Sequence, residues 1–488
     1  MTVVTSTEKK ILELDDILVK FSLFGKYYVQ STVVILLAYM SNSIYCANFV
    51  FVAEEVSYSQ IRNLNNASHR CTKWVYDNPH SLVAEYDLAC QDWKRTLVGT
   101  VHSFGYMIGL LIIGPLSDRL GRKKVIVITG VVGGVLGMAR SFSPWYWLFI
   151  ALEFLEAALG DICSPIFMLT MEMVANNKRL IYQMICGFGF SIGGIGLPLF
   201  AWLFPYWRHL LRVLYTPALL FFLYLLLLDE SPRWLLSKGK KDEAVQIIQK
   251  IAKTNKVKID KAVLDKLSCE ENIKEATFPE LLKSTFTSVA LLRRFFICLT
   301  WWTTSTFVNY GLMINSVSLQ GNKYLNFALI NMVDFPGNLI TTFLMIRFKR
   351  KIPLIFTFVF TAILCLSQPF VPRDLPWLSI FLYVMGKFVS SSYFAITYIF
   401  TSELFPTYTR NSMHALCSSL GRIGSILAPQ TPLLMHYWPG LPSLVFGGTS
   451  LLAGMATLFV PDTADTSLPD NVKQAELLGS RNKEKGIE

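Results

Sequence analysis

Three ionisable residues lie deep inside long apolar runs: Asp334 in NMVDFPGN, Lys387 in VMGKFVSS and Arg422 in SSLGRIGS. Each is about ten residues into a stretch long enough to cross a bilayer, which at 1.5 Å per residue places it roughly 15 Å deep. A charge at that depth costs at least about 2.5–3.5 kcal/mol, so it must face a cavity or a partner. The chemistry open to the three is ion pairing between neighbouring helices or recognition of a charged solute. Glu153 and Glu156, with Asp161 deeper, add acids to the fourth run, facing either another helix through water or a cavity. Glu153 and Asp334 are also placed to carry a proton.

The elements that must hold these residues are read from composition. The 488 residues are 52% hydrophobic and only 16% charged, where soluble domains are usually about 25% charged, so a soluble chain is excluded. About twelve apolar stretches approach the roughly 20 residues needed to span a bilayer, which predicts an all-α membrane protein with twelve transmembrane helices. The polar N-terminus MTVVTSTEKKILELDD argues against a cleavable signal peptide.

The net charge of +11 is explained by orientation and not by nucleic acid. With both termini inside, short inner loops carry eleven Lys and Arg, whereas short outer loops carry only Arg140, Arg208, Lys323 and Arg373. Two longer segments break the rhythm, an outer loop over 52–95 and an inner linker over 229–290. The linker holds the Lys-rich DEAVQIIQKIAKTNKVKIDKAVLDKL, a solvated helical cap beside anionic lipid headgroups. The outer loop offers Cys71 and Cys90, predicted to form a disulfide, and the sequon Asn66-Ala67-Ser68, predicted to be glycosylated.

The chain also repeats. Glu172 and Glu403 each stand seven residues before an Arg, at 179 and 410; Arg122 in GRKK is answered by Arg350 in FKRK, and Glu230 by Asp462. The nearly constant offset predicts two six-helix halves: 1–228 with the outer loop, and 291–462, joined by 229–290 and followed by a cytoplasmic tail at 463–488. In GPLSDRLGRKK, an acid at a helix end and bases one turn later contribute about 0.3–1 kcal/mol each through helix dipoles, enough to latch a state and release it.

GPLSDRLGRKK resembles the loop motif of the major facilitator superfamily, and DESPRWLLSKGK resembles the motif after the sixth span in its sugar porters and organic ion transporters. The long outer loop ending in EYDLAC and the tenth span ending in TSELFPTYTRN favour the organic ion (cation, anion and carnitine) transporters, of an insect-like organic cation transporter type. The resemblance covers nearly the whole chain. It implies the major facilitator fold, two pseudo-symmetric bundles, and an inner charge network of Asp118, Arg119, Arg122, Glu172, Arg179, Glu230, Arg233, Glu403 and Arg410 that holds the outward-facing state. IRFKRK lacks the Asp-Arg-x-Gly of the first loop, so the latch is expected to be asymmetric.

The resemblance further implies a substrate site. Arg422 matches a position that is Arg in anion and carnitine transporters; Trp302 and Tyr310 in WWTTSTFVNYGL match the seventh span, with Asn309 in place of a tyrosine; Phe394 and Phe190 match cavity positions. With Asp334, Lys387, Glu153 and Glu156 these make a mixed-charge, aromatic pocket. Against a purely anionic substrate, Asn338 stands where anion transporters tend to have Lys. No phosphate-binding Gly-Lys-Ser/Thr loop and no metal-ligand spacing occur, so no cofactor, metal or enzymatic activity is expected.

The reading is a plasma-membrane transporter of organic ions by alternating access, with a small-molecule organic ion and membrane lipid as partners, no nucleic acid, and an undefined coupling ion. A sugar porter is the alternative within transport, disfavoured by the long loop and buried charges. A transport-inactive sensor or scaffold is the alternative from another class, favoured by the degenerate second loop motif.

Overall fold

Apolar runs of this length can satisfy their backbone polar groups in lipid only as helices, and the computed structural model groups its described residues into twelve spans in chain order, several of them in more than one helical piece. It describes residues 14–61, 73–259, 264, 288–348, 350–372 and 374–462. Asn66, Cys71 and the 463–488 tail lie outside the described residues, as do most of 260–287 and the side chains of Asn338 and Arg410. The first bundle comprises α1 (Lys26–Val52), α2 (Asp92–Leu120), α3 (Arg122–Arg140), α4 (Tyr146–Glu172), α5 (Arg179–Leu203) and α6 (Trp207–Leu227). The second comprises α7 (Val289–Asn315), α8 (Lys323–Met332 and Asp334–Arg347), α9 (Lys351–Phe370), α10 (Pro376–Glu403), α11 (Thr407–Gly421 and Ile423–Leu427) and α12 (Leu441–Thr457).

Packing repeats with the helices. In the first bundle α1 lies on α5, α2 on α4 and α3 on α6; six helices later α7 lies on α11, α8 on α10 and α9 on α12. The bundles meet through α2 against α11 and α5 against α8, a pairing that the same pseudo-symmetry exchanges. Close approach is set by small residues: a Cβ on Gly105 or Gly109 would lie within 2.7 Å of the Phe154 or Ala158 carbonyl, so α2 sits directly on the α4 backbone. Leu111, Ile112, Phe222, Leu226, Phe356 and Ile363 remain exposed on the outside, as a lipid-facing surface requires.

Prolines break the spans where charges occur. Pro165 cannot donate to the Asp161 carbonyl, and α4 is interrupted between Leu159 and Cys163; Pro336 cannot donate to the Met332 carbonyl, and α8 restarts at Asp334. Asp334 thereby begins a helix, and Arg422 caps the C-terminus of the first part of α11, each with the sign that the local helix dipole favours.

The described parts of the insertion after α1, 53–61 and 73–91, mark what is called the insertion end and fold onto the first bundle. Antiparallel β1 (Tyr58–Ile61) and β2 (Lys73–Tyr76) pair Tyr58 with Tyr76. Arg208 at the start of α6 holds Glu85 at 2.7 Å and the Ser141 and Ser143 carbonyls at 2.8 and 2.9 Å. Cys90 is exposed, and its predicted partner Cys71 lies outside the described residues. At the opposite, basic end, the helix Lys241–Thr254 buries Ala244, Ile248 and Ile251, and Asn255 Oδ1 accepts the Tyr27 N–H at 3.0 Å, so part of the Lys-rich stretch docks on the start of α1.

Candidate functional site

The three deep charges of the second bundle divide into a pair and a single. Lys387 on α10 is buried, donates to Asn309 Oδ1 on α7 and lies 3.4 Å from Asp334 Oδ1 on α8; the Ser391 hydroxyl donates to the same Asp334 oxygen. Lys387 and Asp334 therefore form an interhelical ion pair. Arg422 is different. It is partly exposed, its guanidinium takes the Tyr310 hydroxyl at 3.2 Å, stacks over the Tyr106 ring at 5.0 Å and leaves Nε without a hydrogen-bond partner. No carboxylate lies within ion-pair distance of Arg422 among the described residues. Asp161, at the break in α4, is near enough to act on it electrostatically and keeps Oδ2 unbonded while Oδ1 accepts the Cys163 N–H at 2.9 Å. Arg422 of the second bundle and Asp161 of the first thus each keep an unfilled hydrogen-bonding position.

Aromatic rings line this level of the molecule. Trp302 is buried, donates Nε1 to Thr401 at 3.1 Å and meets Phe394, Tyr398 and His414 at centroid distances of 5.9, 5.7 and 5.3 Å. Trp302 is a wall of the site and Phe394, half-buried, its surface. Phe190 on α5 is half-buried against the core and makes no described ring contact with this group. Phe167 on α4 reaches Tyr398 at 6.3 Å, which brings the first bundle to the same cluster.

Glu153 and Glu156 do not line a cavity. Both are buried, at 0 and 2% exposure, in a closed cluster within the first bundle. Arg140 from the end of α3 binds Glu153; His102 Nδ1 on α2 lies 2.9 Å from Glu153 Oε1; the Tyr215 hydroxyl donates to Glu156 Oε1 at 3.0 Å. Arg140, counted from sequence as an outer-loop cation, is fully buried because Glu153 needs a counter-charge in the low-dielectric interior.

The basic end carries two copies of one arrangement. In the first bundle, Arg122 binds Glu172 through Nε and NH2 at 3.1 and 2.9 Å, Asp118 at 2.8 Å and the Ser117 carbonyl at 2.8 Å, while Glu230 accepts the Arg122 N–H at 2.9 Å at the start of α3. In the second, Arg350 binds Glu403 at 3.2 Å and the Met345 carbonyl at 2.8 Å, and Asp462 accepts the Arg350 N–H at 3.4 Å. Burial raises the Glu230 carboxyl above its usual value, against the Ser231, Lys123 and Arg122 N–H groups that favour its anion. Gly121 makes the turn at φ 100, and a Cβ there would collide with Glu230. Arg233 pairs with Asp15 at 2.6 Å. Arg179 and Arg119 make no described ion pair, and Arg119 is exposed.

Every described bond of this network stays within one bundle, and the Arg410 side chain lies outside the described residues. The polar contacts that join bundles lie at the insertion end. Lys323 on α8 binds Glu54; the Thr96 hydroxyl donates to Gln430 Oε1 at 3.0 Å; Gln430 Nε2 donates to Thr100 at 2.6 Å, and Thr100 to the Ile426 carbonyl at 3.2 Å. Above them a cleft of about 510 Å³ opens between the bundles, lined by Glu54, Glu55, Arg95, Thr96, Ser318 and His436.

Comparison with known proteins agrees with this architecture. The sequence profile of the Major Facilitator Superfamily matches residues 32–429. Solute carrier family 22 member 1 of Bos taurus is 32% identical over 416 residues, covering 84% of this chain and 74% of the relative. The chain belongs to the major facilitator superfamily, within solute carrier family 22. The organic cation transporter protein of Drosophila melanogaster is 32% identical over 447 residues, 88% of this chain and 80% of that protein, and solute carrier family 22 member 6-A of Xenopus laevis is 32% identical over 425 residues, 84% and 75%. Among solved structures, the partially occluded inward-open xylose transporter XylE from E. coli has a TM-score of 0.63 at 18% identity, covering 91% of this chain and all of that one, which shows the fold alone. This solute carrier is a multi-pass membrane protein with the major facilitator fold.

Sequence reasoning did not find Tyr106, His102, Arg140, Asn48 or Tyr215 as site residues. Tyr106 and His102 share a helix face only four residues apart, a signal present in the sequence. Arg140 was hidden by its place at a helix end.

Proposed function

We propose that this solute carrier moves an organic ion bearing a carboxylate together with an apolar or cationic part, a zwitterion or amphipathic anion, across the plasma membrane by alternating access. The observation that carries the reading is Arg422: a deep guanidinium held by one hydroxyl and one ring, with Nε unbonded and no described counter-ion. A solute carboxylate supplies the missing acceptor, and Phe394, Tyr106 and Tyr310 accept the bulky part. Asp161 offers a cationic group its free oxygen. The names of the relatives, an organic cation transporter among them, support organic ions over sugars. In the orientation set by the basic loops, 52–95 is extracellular, Asn66 is glycosylated, Cys71 pairs with Cys90, and the linker 229–290 and tail 463–488 are cytoplasmic beside anionic lipid.

Uptake of labelled carnitine, benzoate and tetraethylammonium by cells expressing the protein tests this. Arg422→Ala should lower carnitine and benzoate uptake at least tenfold (about 1.4 kcal/mol) and spare tetraethylammonium. Equal loss of all three at normal surface expression removes Arg422 from recognition. Hexose uptake would favour a sugar porter, and saturable binding without flux a sensor.

A further inference from the structure

The closed cluster in the first bundle is not used by the substrate site, and without a bound proton its charges do not balance. Arg140 supplies one positive charge, Glu153 and Glu156 supply two negative ones, and all three are buried together with His102. The groups facing the cluster from each surrounding helix are few. From α1 come Asn48, whose Oδ1 accepts from Arg140 NH2 at 2.8 Å and whose Nδ2 donates to the Tyr215 hydroxyl at 3.0 Å, and Tyr45 and Cys46. From α2 comes His102, beneath the Phe49 ring at 5.5 Å. From α3 comes Arg140, and from α6 Tyr215, stacked on Tyr45 at 4.5 Å. With His102 neutral, one negative charge is left over in a place that water does not reach.

One atom marks where it is resolved. Glu153 is fully engaged, by Arg140 on Oε2 and His102 Nδ1 on Oε1. Glu156 Oε1 accepts from Tyr215, but Oε2 has no hydrogen-bond partner and stands 3.9 Å from both Arg140 NH1 and His102 Nδ1. A buried, unbonded carboxylate oxygen beside a second carboxylate is a position for a proton, because two neighbouring carboxylates do not both stay ionised when only one has a full counter-charge. The His102, Glu153 and Glu156 ligand atoms also have the mutual spacing of a cation site, within 4.8 Å. The Arg140 guanidinium bonded to Glu153 already supplies the cation there.

We propose that this cluster is a proton-binding site with Glu156 Oε2 as acceptor, and that its occupancy is coupled to transport. One proton from the aqueous phase adds to Oε2, an O–H bond forms, no other bond changes, and the cluster becomes neutral. The mechanical link is α2. Two residues before His102, Thr100 bonds α11 of the second bundle, and Thr96 one turn further holds Gln430. Loss of the proton leaves a second anion on α4 against His102 of α2 and Arg140 of α3, which shifts α4 relative to both, and the contacts that close the insertion end ride on α2.

The coupling part rests on the transport reading, and the experiment separates the two. In nanodiscs, infrared titration of the full-length protein should show a protonated-carboxyl band that is absent in Glu156→Gln. Tyr215→Phe, which removes a hydrogen bond to the ionised form, should move its midpoint to higher pH. In proteoliposomes with the membrane potential clamped, a pH difference of one unit should shift the steady-state ratio of carnitine or tetraethylammonium by up to about tenfold. Glu156→Gln should carry the probe without responding to the gradient. A wild-type protein without the band, an unmoved Tyr215→Phe midpoint, or a gradient response that survives Glu156→Gln overturns the proposal. Entry of neither probe counts against the transport reading, while the infrared titration still decides the proton site.

Discussion

Arg122 and Arg350 occupy equivalent corners of the two bundles and are held very differently. Arg122 is buried and gripped from three sides, by Glu172 through two nitrogens, by Asp118 and by the Ser117 carbonyl. Arg350, with 27% of its side chain exposed, makes one described ion pair, with Glu403 at 3.2 Å. The carbonyl contact is retained, at Met345, and so is the acid that accepts the arginine's own backbone N–H. The sequence has Ile346 where the first bundle has its acid, and among the described residues Arg350 shows one nitrogen on Glu403 where Arg122 places two on Glu172. Pseudo-symmetry here preserves the scaffold of a latch and varies its strength, so the halves hold their basic ends with unequal stiffness while both meet at the insertion end.

The largest break in that comparison is expected from Glu172→Gln. It leaves a buried guanidinium without its main counter-charge and should cost about 3 kcal/mol, read as a lowered unfolding temperature in detergent together with loss of uptake. Gly121→Ala comes next, at about 1–3 kcal/mol, because φ 100 strains any side chain and the new Cβ meets Glu230; a stability equal to wild type would remove the turn from the latch. Glu403→Gln should cost no more than about 1 kcal/mol, since its Arg350 partner is partly solvated. If the Glu403 change proves as damaging as the Glu172 change, the asymmetry is not real. The smallest effect sharpens the comparison: Ile346→Asp, placed four residues before Arg350 as Asp118 is before Arg122, should raise stability by about 0.3–0.5 kcal/mol, measurable as a small upward shift of the same transition and as reduced sensitivity to Glu403→Gln.

Both halves of the basic-end network were legible in sequence because repeat spacing survives translation along the chain. Glu172, Glu403, Arg122, Arg350, Glu230 and Asp462 keep their offsets, and helices of equal length return them to equivalent corners. The deep charges were legible as costly, but not their partners. Asp334 and Lys387 are 53 residues apart, and nothing in either run says that α8 and α10 place them 3.4 Å apart, whereas Arg422 is left to a hydroxyl and a ring. Glu153 and Glu156 were open to a cavity or a neighbouring helix because Arg140 was counted as a loop residue. Moving Arg140 inward changed the role of three residues at once.

By itself the sequence determined that this chain enters a bilayer through about a dozen apolar runs and as two related halves, since transfer of apolar side chains and satisfaction of backbone hydrogen bonds are local requirements summed along each run; the fold was implied by the resemblance of its motifs. Only the tertiary structure decided which buried charges cancel and which stay available. Electrostatic compensation in a low dielectric depends on separations of a few ångströms between residues remote in sequence, and those separations exist only after the helices have packed.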